Sequence, residues 1–138
     1  SAASDVYKRQ PMSGLHHLTL TVSDLDVSLE WYHRVLGFTE VLRSDDGGLH
    51  RALMSRPDCV PISFVAHGDS AIDGGFDERR VGLDHVGLAV ADHATLLQWL
   101  AVLDAHGVMR SEPVHGVFGW ALNFRDPDNI ALEFYTRD

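Results

Sequence analysis

Residues 15–22 alternate between apolar and polar: Leu18, Leu20 and Val22 fall on one side of an extended chain, His17, Thr19 and Thr21 on the other. A helical pattern follows. Asp24 is a suitable N-cap, Leu25, Leu29, Tyr32 and Leu36 recur at helical spacing, and Gly37 stands where a C-terminal glycine belongs. Strand-like runs come next at 38–43, 49–55 and 60–66, then a polar, glycine-rich stretch to residue 80 that reads as a linker. The order then begins again. Residues 83–90 predict a strand and Asp92 a cap. Leu96, Leu97, Leu100 and Leu103 form an apolar helical stripe ending near Gly107, and strands are expected at 108–111, 117–124 and 130–135.

The two halves are copies. Residues 14–31, GLHHLTLTVSDLDVSLEW, match residues 82–99, GLDHVGLAVADHATLLQW, 68 positions later, with Gly14, His17, Asp24 and Trp31 answered by Gly82, His85, Asp92 and Trp99. So long a period means a duplicated supersecondary unit. The fold class is α+β: two tandem βαβββ modules, 14–66 and 82–136, joined by a linker at 67–81 within one domain spanning 14–138. Each helix should cover the Leu/Val face of its sheet. The other face carries His17 in copy one and His85, Gly87 and Ala89 in copy two, and such small neighbours predict a cup rather than a packed core.

Composition narrows the function. The formal charge of −9 argues against nucleic acid and anionic membranes, whose recognition needs clustered Lys and Arg, and leaves a small molecule as the expected partner. No apolar run approaches the ~20 residues of a membrane helix, and residues 1–13 read as a poorly ordered leader outside the fold. Cys59 is the sole cysteine, so an internal disulfide and thiolate metal clusters are excluded, and a cytoplasmic location is expected.

Chemistry concentrates on the histidine face. In IALEFY, Ile130, Leu132 and Phe134 belong to the helix side, which puts Glu133 and Tyr135 on the side of His17 and His85. A mid-strand carboxylate between apolar neighbours needs a partner, and a divalent cation is a strong one. Two imidazoles and one carboxylate make the facial triad of non-haem iron(II), with positions open for substrate and oxygen. Iron(II) is therefore the favoured metal, with manganese, zinc and nickel as alternatives.

HHLTLTVSDLDVSLEWYHRVLGF, GLDHVGLAV and FRDPDNIALEFY together resemble the vicinal oxygen chelate superfamily of glyoxalases, extradiol ring-cleaving dioxygenases, and fosfomycin- and bleomycin-resistance proteins, over residues 14–135. The resemblance implies sheets curled around a divalent metal, with His17, His85 and Glu133 as ligands. It also implies a cup built within one chain or across a dimer, and a homodimer is expected. Glyoxalase-like members generally add a fourth ligand where this chain has Ser63, a weak donor; three ligands are the extradiol count. In the extradiol pattern His115, Leu122, Asp126, Pro127 and Glu133 fall in register, whereas Asn123 replaces a tyrosine and Asn129 a glycine. His115 is the candidate acid/base, and His50, Asn123 and Tyr135 are candidate substrate contacts. His16 and Asp84 read as a solvated strand end, Trp31 and Trp99 as core anchors, Cys59 as inert, and DPDN as a turn. The leading function is an iron(II)-dependent extradiol-type dioxygenase acting on a vicinal diol. The alternatives are a glyoxalase-like lyase or isomerase and a non-catalytic binding or resistance protein.

Overall fold

The computed structural model describes residues 9–138, so the expectation of a disordered leader falls largely outside the described residues; residues 9–13 are exposed and belong to no helix or strand. Module one consists of β1 (Leu18–Thr21), α1 (Leu25–Leu36), β2 (Thr39–Asp46), β3 (Leu49–Arg56) and β4 (Cys59–Ala66). Module two consists of β5 (Val86–Val90), α2 (His93–Ala105), β6 (Val114–His115), β7 (Trp120–Arg125) and β8 (Ala131–Thr136). The sheets have equivalent topologies, β1-β4-β3-β2 and β5-β8-β7-β6, each with its first and last strands parallel and the rest antiparallel. Two helices on two four-stranded sheets confirm the α+β class and the tandem modules.

Both helices start as the sequence dictates. Asp24 accepts a hydrogen bond from the Val27 N–H at 3.2 Å, and Asp92 accepts from the Thr95 N–H at 2.8 Å and from its hydroxyl at 2.7 Å. Gly37 ends α1 with φ +75°, where any β-carbon would be strained. The expected strand at 108–111 does not form as one. Arg110 makes a lone bridge to Phe124, and pairing resumes only at Val114–His115. Pro113 lies between these points, has no N–H to offer and interrupts the ladder. The run expected at 117–124 starts late, at Trp120, because residues 116–119 make the hairpin tip, where the Gly116 N–H donates to the Gly119 carbonyl at 2.7 Å.

The core lies on the helix sides of the sheets. Leu20, Met54, Ile62 and Phe64 pack beneath α1, and Leu122, Phe124, Leu132 and Phe134 line the equivalent face of module two. These faces also join the modules: Trp31 stacks near Phe124 at 6.4 Å, and the Tyr32 hydroxyl donates to the Asp126 carboxylate at 2.7 Å. Asp126 further accepts from the backbone N–H groups of Asp128 and Ile130, each at 2.9 Å, and Asp128 accepts from the Ser23 N–H at 3.1 Å. DPDN is therefore the clamp between modules as well as a turn. Burial raises the Asp126 carboxyl above its ordinary value, and burial together with the neighbouring Asp126 raises the Tyr32 phenol. No helix of the described residues is long and apolar enough to cross a membrane.

Candidate metal centre

Strand register fixes which side chains share a face. Gly87 pairs with Glu133 and Asn123 pairs with Glu133 from the other side, so all three sit on the face opposite the core. Ala89 and Tyr135 follow on the same face, and His85 precedes Gly87 by two positions. There His85 Nε2 lies 3.7 Å from Glu133 Oε1, near enough for one ion to take both at the usual ~2.0–2.2 Å. A β-carbon at Gly87 would lie 3.9 Å from Glu133 Oε1, an ordinary contact, so position 87 directly borders the carboxylate.

The residue before each histidine orients it. Asp84 Oδ1 is 2.6 Å from His85 Nδ1, which donates to it and so turns Nε2 toward Glu133. His16 stands at the same offset in module one, with its Nδ1 2.9 Å from Nδ1 of His17. Both positions are exposed, as a solvated strand end should be, and each also contacts a ring nitrogen of its neighbouring histidine. Adjacency of a polar residue to each repeated histidine was the available signal.

Module one presents a related but poorer face. Thr19 pairs with Ser63 as Gly87 pairs with Glu133, so Ser63 occupies the carboxylate's equivalent place, and its hydroxyl is bonded to Thr19. His17 belongs to this face and is exposed. Among the described residues no three His, Cys, Asp or Glu side chains gather closely enough to hold a metal ion. One chain therefore brings His85 and Glu133 together and keeps His17 apart. The donors present fit two adjacent positions of a divalent ion and leave the chelate one ligand short.

Two candidates lie on the wrong face. His50 pairs with Ala66, which is buried on the helix side, and its ring bonds to Asp45 rather than entering a cup. His115 pairs with Trp120, on the face opposite Asn123 and Glu133. Its ring stacks on the Trp120 indole at 4.8 Å, while His93 of α2 stacks at 4.2 Å. Each imidazole sits an odd number of positions from the cup-facing set, so strand alternation turns it away. The candidate acid/base His115 is therefore not at the site. Asn123 and Tyr135 remain on it, with the Tyr135 hydroxyl 2.9 Å from where a β-carbon on Gly116 would lie.

Comparison with known proteins places this geometry in a family. The family model described as Glyoxalase/Bleomycin resistance protein/Dioxygenase superfamily matches residues 14–134, and the chain belongs to that superfamily. A glyoxylase/bleomycin resistance protein/dioxygenase domain from Frankia sp. EAN1pec is 35% identical with a TM-score of 0.85, over 93% of this chain and 100% of that one. The Bacillus subtilis (strain 168) protein named "Putative ring-cleaving dioxygenase MhqA" is 26% identical over 127 residues, which is 89% of this chain but only 39% of that protein's length. The fosfomycin resistance protein FosX from Listeria monocytogenes, crystallised as a point mutant with Mn(II) and 1S,2S-dihydroxypropylphosphonic acid, shares the fold at 20% identity and TM-score 0.70, over 93% of each chain.

Proposed function

We propose that the chain is a metal-dependent oxygenase of the extradiol type whose site is assembled between two copies. His85 and Glu133 of one copy and His17 of the other would hold an iron(II) ion, with manganese, zinc or nickel as alternatives. The observation that carries this reading is the His85–Glu133 pair, 3.7 Å apart on an open face, with the His85 ring oriented by Asp84. Ser63 is held by Thr19 and adds no fourth ligand, which leaves the three-donor count of an open facial site. The ring-cleaving relative's name and the manganese in FosX support a divalent-metal reading of the same face.

A divalent ion held by His85, Glu133 and the second copy's His17 would supply Lewis-acid charge for the oxygens of a vicinal diol. The chain's own contribution is positional. Asp84 orients the His85 ring, Gly87 borders Glu133, Asn123 can hydrogen-bond a substrate oxygen, and the Tyr135 phenol can donate to or accept from it. The balanced reaction breaks the ring carbon–carbon bond beside the diol and gives one atom of O2 to each of its two carbons, with no external reductant.

One observation favours a second reading. With His115 on the opposite face, the module-two side of the cup offers no histidine beyond His85, as expected of a protein that binds a small molecule without turning it over. Metal analysis of anaerobically purified protein, followed by oxygen uptake with a panel of catechols, separates the readings. Bound iron with oxygen consumption and a ring-opened chromophore supports the oxygenase. Metal and ligand binding without oxygen uptake selects the binding protein, and absence of metal binding defeats the proposal.

A further inference from the structure

The duplication builds the contact between modules twice, and only one of the two is filled. Strand register sets the correspondence: Ile62 pairs with Leu18 as Leu132 pairs with Val86, so Met54 corresponds to Phe124 and Arg56 to Asp126, while Tyr32 corresponds to Leu100. On one side α1 meets the β7–β8 turn through Trp31, Tyr32, Phe124 and Asp126, all below 10% exposure. On the other, α2 meets the β3–β4 turn through Trp99 and Arg56, and both remain partly exposed. A cleft of about 280 Å³ opens there, walled by Phe38, Leu88, Trp99 and Phe134, with Cys59 and Thr95 at its edge.

We propose that this cleft is a second ligand site, separate from the candidate metal face, for a small, uncharged, planar aromatic molecule of one or two fused rings. Size comes first: a ~150 Å³ apolar cavity takes one benzene, so about twice that takes a bicyclic ring. Shape follows from Trp99 and Phe134, already stacked at 4.6 Å and 23°, which offer a flat aromatic wall. Charge decides the rest. The Arg56 guanidinium lies 5.2 Å over Trp99, but it is paired with Asp58 and donates to the Leu36 carbonyl, so the rim is neutralised and favours neither anion nor cation. A hydroxyl on the ligand can reach the polar edge near Thr95. Phe134 and Glu133 are neighbours on β8 that face opposite ways, so the two sites lie back to back across one sheet.

Cys59 is the only thiol, which makes it a site-specific reporter. 2-Naphthol should slow its modification by 5,5′-dithiobis(2-nitrobenzoic acid) saturably, by about tenfold at roughly ten times the half-saturating concentration. The same protection should persist in His85→Ala and vanish in Ala91→Trp, whose indole would occupy the cleft; Thr95→Phe replaces the latter if it does not fold. No protection up to the solubility limit, protection undiminished in the cleft-filling variants, or protection lost in His85→Ala would each overturn the proposal. The last outcome would move the naphthol to the metal face.

Discussion

A site shared between two copies makes a quantitative prediction about mixing two dead variants. In the proposed shared site, His17→Ala would remove the nitrogen supplied by the second copy, and Glu133→Ala would remove the oxygen donor beside His85. Each variant alone has two identical sites that lack one ligand. When the two are refolded together in equal amounts, half of the dimers are mixed. In a mixed dimer one site carries both losses and the other carries neither, so about one quarter of all sites regain the full donor set. Metal content by plasma mass spectrometry after removal of loosely held ions should follow that fraction, as should any ring-cleaving turnover. If each cup closed within one chain, no mixture would hold an intact site and the recovered fraction would be zero. Recovery near zero with mixed dimers demonstrated by differently sized tags would refute the shared site, and so would full metal occupancy in either variant alone.

Asp84→Ala should weaken divalent-metal binding about 10–100-fold, because His85 loses the partner that orients its ring; an unchanged affinity by competition with a chelating dye would contradict this. His115→Gln should leave metal content and turnover within about twofold, since its ring stacks on Trp120 on the far face of the sheet; a fall of ~10²-fold in turnover would return it to the site as an acid/base. Tyr32→Phe should destabilise the fold by about 1.5–3 kcal/mol, because it strips a buried carboxylate of one donor, and thermal unfolding should read this as a drop of several degrees. Burial holds the Asp126 carboxyl above its ordinary value, so its protonation favours the native state: that contribution is complete below the ordinary carboxylate range and is lost as pH rises through the folded value. The Tyr32→Phe deficit should therefore be larger at neutral pH than in mild acid, and a pH-independent deficit would refute the role of the charge.

The repeated strands were legible because their alternation is unbroken: Leu18, Leu20 and Val22 against His17, Thr19 and Thr21 leave one parity, and the parallel pairing with β4 keeps it. The parity of Glu133 followed from the apolar positions Leu132 and Phe134 in the same way. His50 and His115 were misplaced because neither lies in such a run. The face of His50 is set by its pairing across the hairpin with Ala66, and that of His115 by a two-residue strand resumed after Pro113. Local pattern cannot count residues through a turn or an interrupted ladder. The Tyr32–Asp126 bond was hidden for a different reason: it joins residues 94 apart, and each partner has an adequate local explanation, as a helix position and as a turn.

Divergence between the copies also bears on how two chains would meet. Both modules keep the first-strand histidine, but only module two keeps a carboxylate on its last strand, with Ser63 in the other. A two-fold dimer that set like faces together would put two copies of His17 at one contact, or two His85–Glu133 pairs at another, giving a starved site or a crowded four-ligand one. Setting unlike faces together gives two equivalent sites, each with two nitrogens and one oxygen, and each open on the side of Gly87 and Ser63. The loss of a carboxylate from one copy is then an asset rather than decay, since it keeps the chelate at three ligands and leaves room for a bidentate substrate. Metal stoichiometry distinguishes the arrangements directly: two ions per dimer for unlike faces, and one for a pairing of the His85–Glu133 faces.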